Sequence, residues 1–109
     1  MEMEKSKRKT ERELFRLVSE KITRNEYFFT NHARQRLIER ELLEPEILDI
    51  LSGKPGKKRR RNKAKEKYMA DCQNWNYCVE GMGVNKNKIR IIFSFSKENI
   101  VIITVINMN

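Results

Sequence analysis

Nine residues put the chain's one histidine in line with two arginines: His32-Ala33-Arg34-Gln35-Arg36-Leu37-Ile38-Glu39-Arg40. On a helix, His32, Arg36 and Arg40 stand at i, i+4 and i+8 and share one face, with Ala33 and Leu37 turned toward the core. Near a helix N-terminus the dipole favours the neutral imidazole. A neutral imidazole can act as a base, and two guanidinium groups along the same stripe can hold a phosphate. The plainer alternative is a solvated helix face, with Arg36 and Arg40 paired to Glu39, Glu44 or Asp49 and His32 bonded within its own turn.

A second feature is charge concentration. Residues 54–67 contain Lys54, Lys57, Lys58, Arg59, Arg60, Arg61, Lys63, Lys65 and Lys67 against a single acidic group, Glu66. This stretch supplies +8 of the formal net charge of +9. Burying such a cluster is prohibitive, so the run predicts a solvated, extended loop. It equally predicts an electrostatic arm for RNA or DNA, because each neutralised phosphate releases counterions. Pro55, Gly56 and the lack of an apolar face argue against membrane-surface binding. A nuclear localisation signal would have the same composition.

The C-terminal part adds Tyr68, Trp75, Tyr77, Glu80, Arg90, Ser94 and Thr104 at polar or aromatic strand positions. Aromatics beside cations can stack the bases of single-stranded RNA. Cross-strand packing is the commoner use of Tyr and Trp in a half-buried sheet. Cys72 and Cys78, with one distant histidine, do not fit a zinc site and read as reduced thiols. No metal or cofactor is expected.

The elements that must position these groups are legible in outline. The 109 residues, 36% charged and 39% hydrophobic, suit one domain over 1–109 with a single core. No apolar run is long enough to span a membrane, and the charged N-terminus does not read as a signal peptide, which points to the cytoplasm. Residues 1–9 are expected to fray. Residues 10–53 read as helical, 54–67 as the basic loop and 68–109 as sheet. Thr10-Glu11-Arg12-Glu13 fits a capping box opening a helix over about 11–23. Thr30 or Asn31 can cap a second helix over about 31–41. Pro45 and Gly53 bracket a third. Strands are expected at 67–72, 76–82, 88–96 and 100–106, the last apolar almost throughout and so covered on both faces. The fold class is α+β, with two to three N-terminal helices on one face of a three- to four-stranded antiparallel sheet.

These pieces in this order resemble a known family. Residues 29–40, Phe-Thr-Asn-His-Ala-Arg-Gln-Arg-Leu-Ile-Glu-Arg, followed by Leu43-Glu44-Pro45-Glu46-Ile47, look like its signature F-T-x-H-A-x-x-R-(M/L)-x-x-R-x-I-x-x-x-x-(V/I). Ile102-Ile103-Thr104-Val105-Ile106 looks like its closing strand. The family is the numbered domain of unknown function 4258, grouped with RelE/MqsR-like toxins of the barnase–colicin–RelE ribonuclease fold. The chain departs from it in its longer basic run.

The resemblance implies a cytoplasmic toxin of a type II toxin–antitoxin system, a metal-independent endoribonuclease (mRNA interferase). Its partners would be messenger RNA, free or on the ribosome, and an antitoxin with a zinc-binding part and a helix-turn-helix part. Metal-free cleavage needs a base for the 2′-hydroxyl, cations for the phosphorane and an acid for the leaving oxygen. The expected roles are His32 as base or acid, Arg36 and Arg40 as phosphate holders, and Arg90 or Tyr77 reaching in from the sheet. The basic run, Lys54 to Lys67, would gather RNA. Two other classes fit the same residues: a non-catalytic RNA- or DNA-binding module, and a partner-binding subunit with a basic docking loop.

Overall fold

A computed structural model describes residues 7–54 and 58–108. Three helices precede most of the sheet: α1 (Glu11–Thr23), α2 (Asn31–Glu39) and α3 (Glu44–Ser52). The Thr10 hydroxyl accepts from the Glu13 N–H at 3.2 Å, forming half of the expected capping box. Thr30 caps α2 in the same way, accepting from Ala33 N–H at 3.0 Å. All three helices end in a Schellman motif, whose crossed bonds use the last carbonyls. Asn25, Glu41 and Gly53 take the left-handed position there, at φ 59°, 55° and 70°. At α2 the 6→1 bond runs from Leu42 N–H to the Leu37 carbonyl at 2.8 Å. Leu42 thereby folds back into the core.

Six strands form the sheet: β1 (Tyr27–Phe29), β2 (Arg59–Arg61), β3 (Lys67–Met69), β4 (Asn74–Met82), β5 (Lys88–Ser96) and β6 (Asn99–Asn107). The order is β1-β6-β5-β4-β2, with β3 also paired to β4. Every pairing is antiparallel except β1 with β6. The expected three or four strands thus become six. The two unforeseen strands, β1 and β2, have three residues each, too few to show a period.

One sheet face carries the helices. Tyr77 and Val79 of β4, Ile89, Ile91 and Phe93 of β5, and Ile100, Ile102 and Val105 of β6 meet Leu14, Val18, Ala33, Leu37, Ile47 and Ile50 there. The other face carries no α-helix and is open over most of β5 and β6, while on β4 Cys78 and Glu80 point to it and are buried. Strand β6 is central, as expected, but covered on one face only: Ile106 is 37% exposed. A bulge where Ile92 pairs with Thr104 and Phe93 with Ile102 leaves Ile103 without a partner and switches the inward set from Ile102 to Val105.

The basic segment is less solvated than expected. Arg61 and Arg59 of β2 lie opposite Val79 and Gly81 and so share the helix-bearing face. Residues 63–65 form a 3-10 turn. The described end of the N-terminal stretch is also anchored: Lys9 N–H donates to the Tyr77 hydroxyl at 3.0 Å, and Arg8 pairs with Glu66 at 3.0 Å. The rest of the stretch expected to fray, 1–6, lies outside the described residues.

Candidate nucleic-acid interface

On α2, His32, Gln35, Arg36 and Glu39 line a shallow surface cavity of about 110 Å³. Ala33 and Leu37 are buried beneath them, so the stripe faces solvent as its spacing requires. Arg36 pairs with Glu39 at 3.5 Å, and Arg34 reaches Glu44 at 4.0 Å. Arg40 is the C-cap and is exposed. Of the expected trio, His32 and Arg36 line the cavity together, and Arg40 does not.

Tyr77 and Arg90 do not join them. Tyr77 is 1% exposed in the core, its ring 6.1 Å from Phe93 and 5.8 Å from Phe95. Burial pushes its hydroxyl's pKa up. With that hydroxyl accepting from Lys9, Tyr77 is a packing residue and cannot reach a substrate. Arg90 follows Ile89 and precedes Ile91, both buried, so it projects from the open face, away from α2. Tyr68 and Trp75 pack on each other across β3 and β4, 5.6 Å between ring centroids, and Arg8 covers Trp75 at 4.6 Å. That is cross-strand packing, not an exposed stacking platform.

The basic run divides in two. Arg59 and Arg61 turn inward. Arg59 donates to the Leu51 carbonyl and to Ser19 Oγ at 3.2 Å, with its guanidinium 4.2 Å over the Phe15 ring. It fastens β2 to α1 and α3. Arg61 forms a fork with Glu66 at 2.7 and 2.8 Å and also donates to the Lys9 carbonyl at 2.8 Å. Burial would raise the Glu66 pKa, but donors from Arg61, Cys78 N–H and Arg8 outweigh it and hold it below the usual carboxylate range. Lys58, Arg60, Lys63, Lys65 and Lys67 point outward and are exposed. Among the described residues none of these five has an ion pair. Lys54 pairs with Asp49 at 3.2 Å, and Lys57 lies outside the described residues.

A further cluster sits on the open face beside those cations. Arg60, Glu80 and Arg90 are cross-strand partners in a row over β2, β4 and β5. Glu80 is only 3% exposed. Its Oε2 accepts from Asn62 Nδ2 at 2.9 Å and Arg90 Nε at 2.8 Å, and its Oε1 lies 3.4 Å from Lys88 Nζ. Burial works against the anion, yet Asn62, Arg90 and Lys88 outweigh it and hold the carboxyl down at about 2. Glu80 is thus an anion at neutral pH and organises cations. Spacing within one strand shows only that Glu80 points out. Its partners follow from the register set by the turn at Gly83–Asn87, the signal that could have found them.

Among the described residues no three His, Cys, Asp or Glu side chains are grouped to hold a metal ion. Nor is any described helix long and apolar enough to cross a membrane.

The arrangement defines a small α+β protein with a helix-backed sheet, a basic edge and an open sheet face lined with ordered cations. The chain belongs to the family described as domain of unknown function (DUF4258), whose family model matches residues 29–107. That span runs from the last residue of β1 to the end of β6 and includes α2 with its His32–Arg36 pair. No curated protein matches the chain.

Proposed function

We propose that this protein binds RNA and cleaves it without a metal, as a RelE/MqsR-like toxin held in check by an antitoxin in the cytoplasm. The observation that carries the RNA reading is the row of five outward cations, Lys58 just before β2, Arg60 on it, Lys63 and Lys65 on the 3-10 turn and Lys67 on β3, without carboxylate partners among the described residues. A polyanion gains counterion release at each such contact. The α+β architecture, three helices on one face of the sheet, is in keeping with the fold class the motif resemblance implies. Cleavage rests on the exposed His32 with Arg36 beside it. His32 takes or returns the proton, and Arg36 steadies phosphate charge.

Primer extension on RNA incubated with the protein in EDTA tests this. Discrete stops are expected, and His32→Ala should slow their appearance by about 10²–10⁴-fold. His32→Ala cutting at the wild-type rate would remove His32 from the chemistry. A non-catalytic RNA-binding module is the second reading. It is favoured by the separation of the expected groups, with His32 and Arg36 on a helix surface, Tyr77 in the core and Arg90 on the opposite sheet face. RNA left intact, with and without ribosomes, while still bound in a salt-dependent way would select it.

A further inference from the structure

Three properties of the open sheet face converge at one place. Arg60, Glu80 and Arg90 are directly opposed across three strands. Side chains so opposed have Cβ atoms about 4.5–5.5 Å apart, close enough to act as a unit. The central carboxylate is withdrawn from water and tied at both oxygens. Arg90 gives it Nε alone, and its two Nη groups make no hydrogen bond among the described residues. A guanidinium fixed at one edge, with the donors of the other edge unused, is already ordered for a planar or tetrahedral oxyanion and loses little freedom on meeting one. Arg60 is exposed without an ion pair among the described residues, and a cavity of about 320 Å³ lined by Arg60, Glu80, Met82 and Lys88, though not by Arg90, opens beside the row.

The same face continues into a second depression of about 650 Å³, lined by Phe28, Asn76, Ser94, Val101 and Ile103. Ser94 is four residues from Arg90 along β5, about 13 Å at the rise of an extended strand. Apolar walls with amide and hydroxyl groups suit an unstacked base, which only a single strand presents.

We propose that the Arg60–Glu80–Arg90 row is a cradle for a backbone phosphodiester of single-stranded RNA, in which Arg90, Arg60 and Lys88 take the phosphate and Glu80 is the residue that positions Arg90 and Lys88. The proposal rests on the RNA reading above and adds to it a second place of contact, on the sheet face opposite α2. The basic edge delivers the strand, and the row fixes its register. Glu80 touches no substrate.

Anisotropy of a labelled single-stranded RNA of mixed sequence, titrated at several salt concentrations, tests the cradle. Glu80→Gln removes one negative charge and takes the net charge from +9 to +10. If Glu80 only screened its neighbours, RNA would bind more tightly. A positioning role requires the opposite, weaker binding by roughly 3- to 10-fold, the worth of one misaligned hydrogen bond. Arg90→Lys, which keeps the charge and loses the fork, should fall by a similar factor. Arg90→Gln should flatten the slope of log affinity against log salt by about 0.7. Arg24→Gln, the same charge change at the exposed end of α1, should leave the slope as it is. Glu80→Gln binding as tightly as wild type or tighter, or Arg90 variants matching Arg24→Gln, would overturn the cradle and leave the RNA reading standing. If Glu80→Gln does not fold by circular dichroism, the Arg90→Lys and Arg90→Gln comparison decides. Wild type that ignores RNA at low salt would overturn the RNA reading, and the cradle with it.

Discussion

Arg61 and Glu66 form a two-bond fork with side chains 1% and 0% exposed. Their Nε–Oε2 and Nη2–Oε1 distances are 2.7 and 2.8 Å. Five residues apart, they close a tight turn that carries the 3-10 segment. The same carboxylate accepts from Arg8 at 3.0 Å and from Cys78 N–H at 3.3 Å. One anion thus joins the N-terminal stretch, the basic segment and β4.

Removing that anion should be severe. Glu66→Ala leaves Arg61 charged and buried without a counter-charge, only the Lys9 carbonyl remaining, which costs about 3–5 kcal/mol. Urea unfolding followed by circular dichroism measures it. Arg61→Met combined with Glu66→Leu should recover part of the loss, since no buried charge is left unpaired. The recovery stays partial because the Cys78 N–H loses its acceptor.

Acid should destabilise the fold through Glu66 and Glu80. Both carboxyls are held below their ordinary range when folded, Glu80 at about 2. Their contribution is complete above the unfolded carboxyl value of about 4.3 and is lost as pH falls from there toward about 2. For Glu80 it is on the order of 3 kcal/mol at neutral pH. Urea midpoints from about pH 5 to pH 2.5 should fall steeply for wild type and less so for Glu80→Gln.

Gly81 marks a close approach of helix to sheet. A Cβ there would stand 2.6 Å from Ile50 Cγ2 and 3.1 Å from the Lys58 carbonyl oxygen. Gly81→Ala should overpack the contact between α3 and β4 and cost about 1–3 kcal/mol. Ile50→Ala, which removes the γ carbons that the new Cβ would strike, should cost less in the Gly81→Ala chain than in the wild-type chain, which thermal melts of the single and double variants will show.

The two thiols should differ in reactivity. Cys72 is exposed, whereas Cys78 is buried and its thiol is pushed up to about 12 by burial and the neighbouring Glu80. Iodoacetamide on the folded protein should give one adduct, at Cys72, and two after unfolding. Peptide mass mapping separates them.

Helices were readable because caps and stops are local. Thr10, Thr30, Pro45 and Gly53 stand where α1, α2 and α3 need them. Strand β5 shows its period-2 alternation over Lys88–Ser96 and nothing in the tertiary fold alters it. The bulge at Ile103 escaped because an apolar run hides a change of face. Strands β1 and β2 escaped because only their neighbours make them strands. Arg59 and Arg61 looked solvated because their charges were counted and their partners, Glu66 and the Leu51 carbonyl, were not. The site divided for a related reason. Helical spacing correctly grouped His32 with Arg36, but nothing local says that Tyr77 and Arg90 leave the sheet on opposite faces.

The Thr30 hydroxyl accepts from Ala33 N–H and donates to the Ile103 carbonyl at 3.0 Å, across 73 positions of sequence. Strand β1, just before it, pairs with Ile100–Ile102 of β6. A chain emerging during translation can wind α2 early, but the platform beneath it does not exist until residues 99–107 have been made. Premature termination or proteolytic clipping ahead of Ile103 would therefore unseat α2 without touching a residue in it.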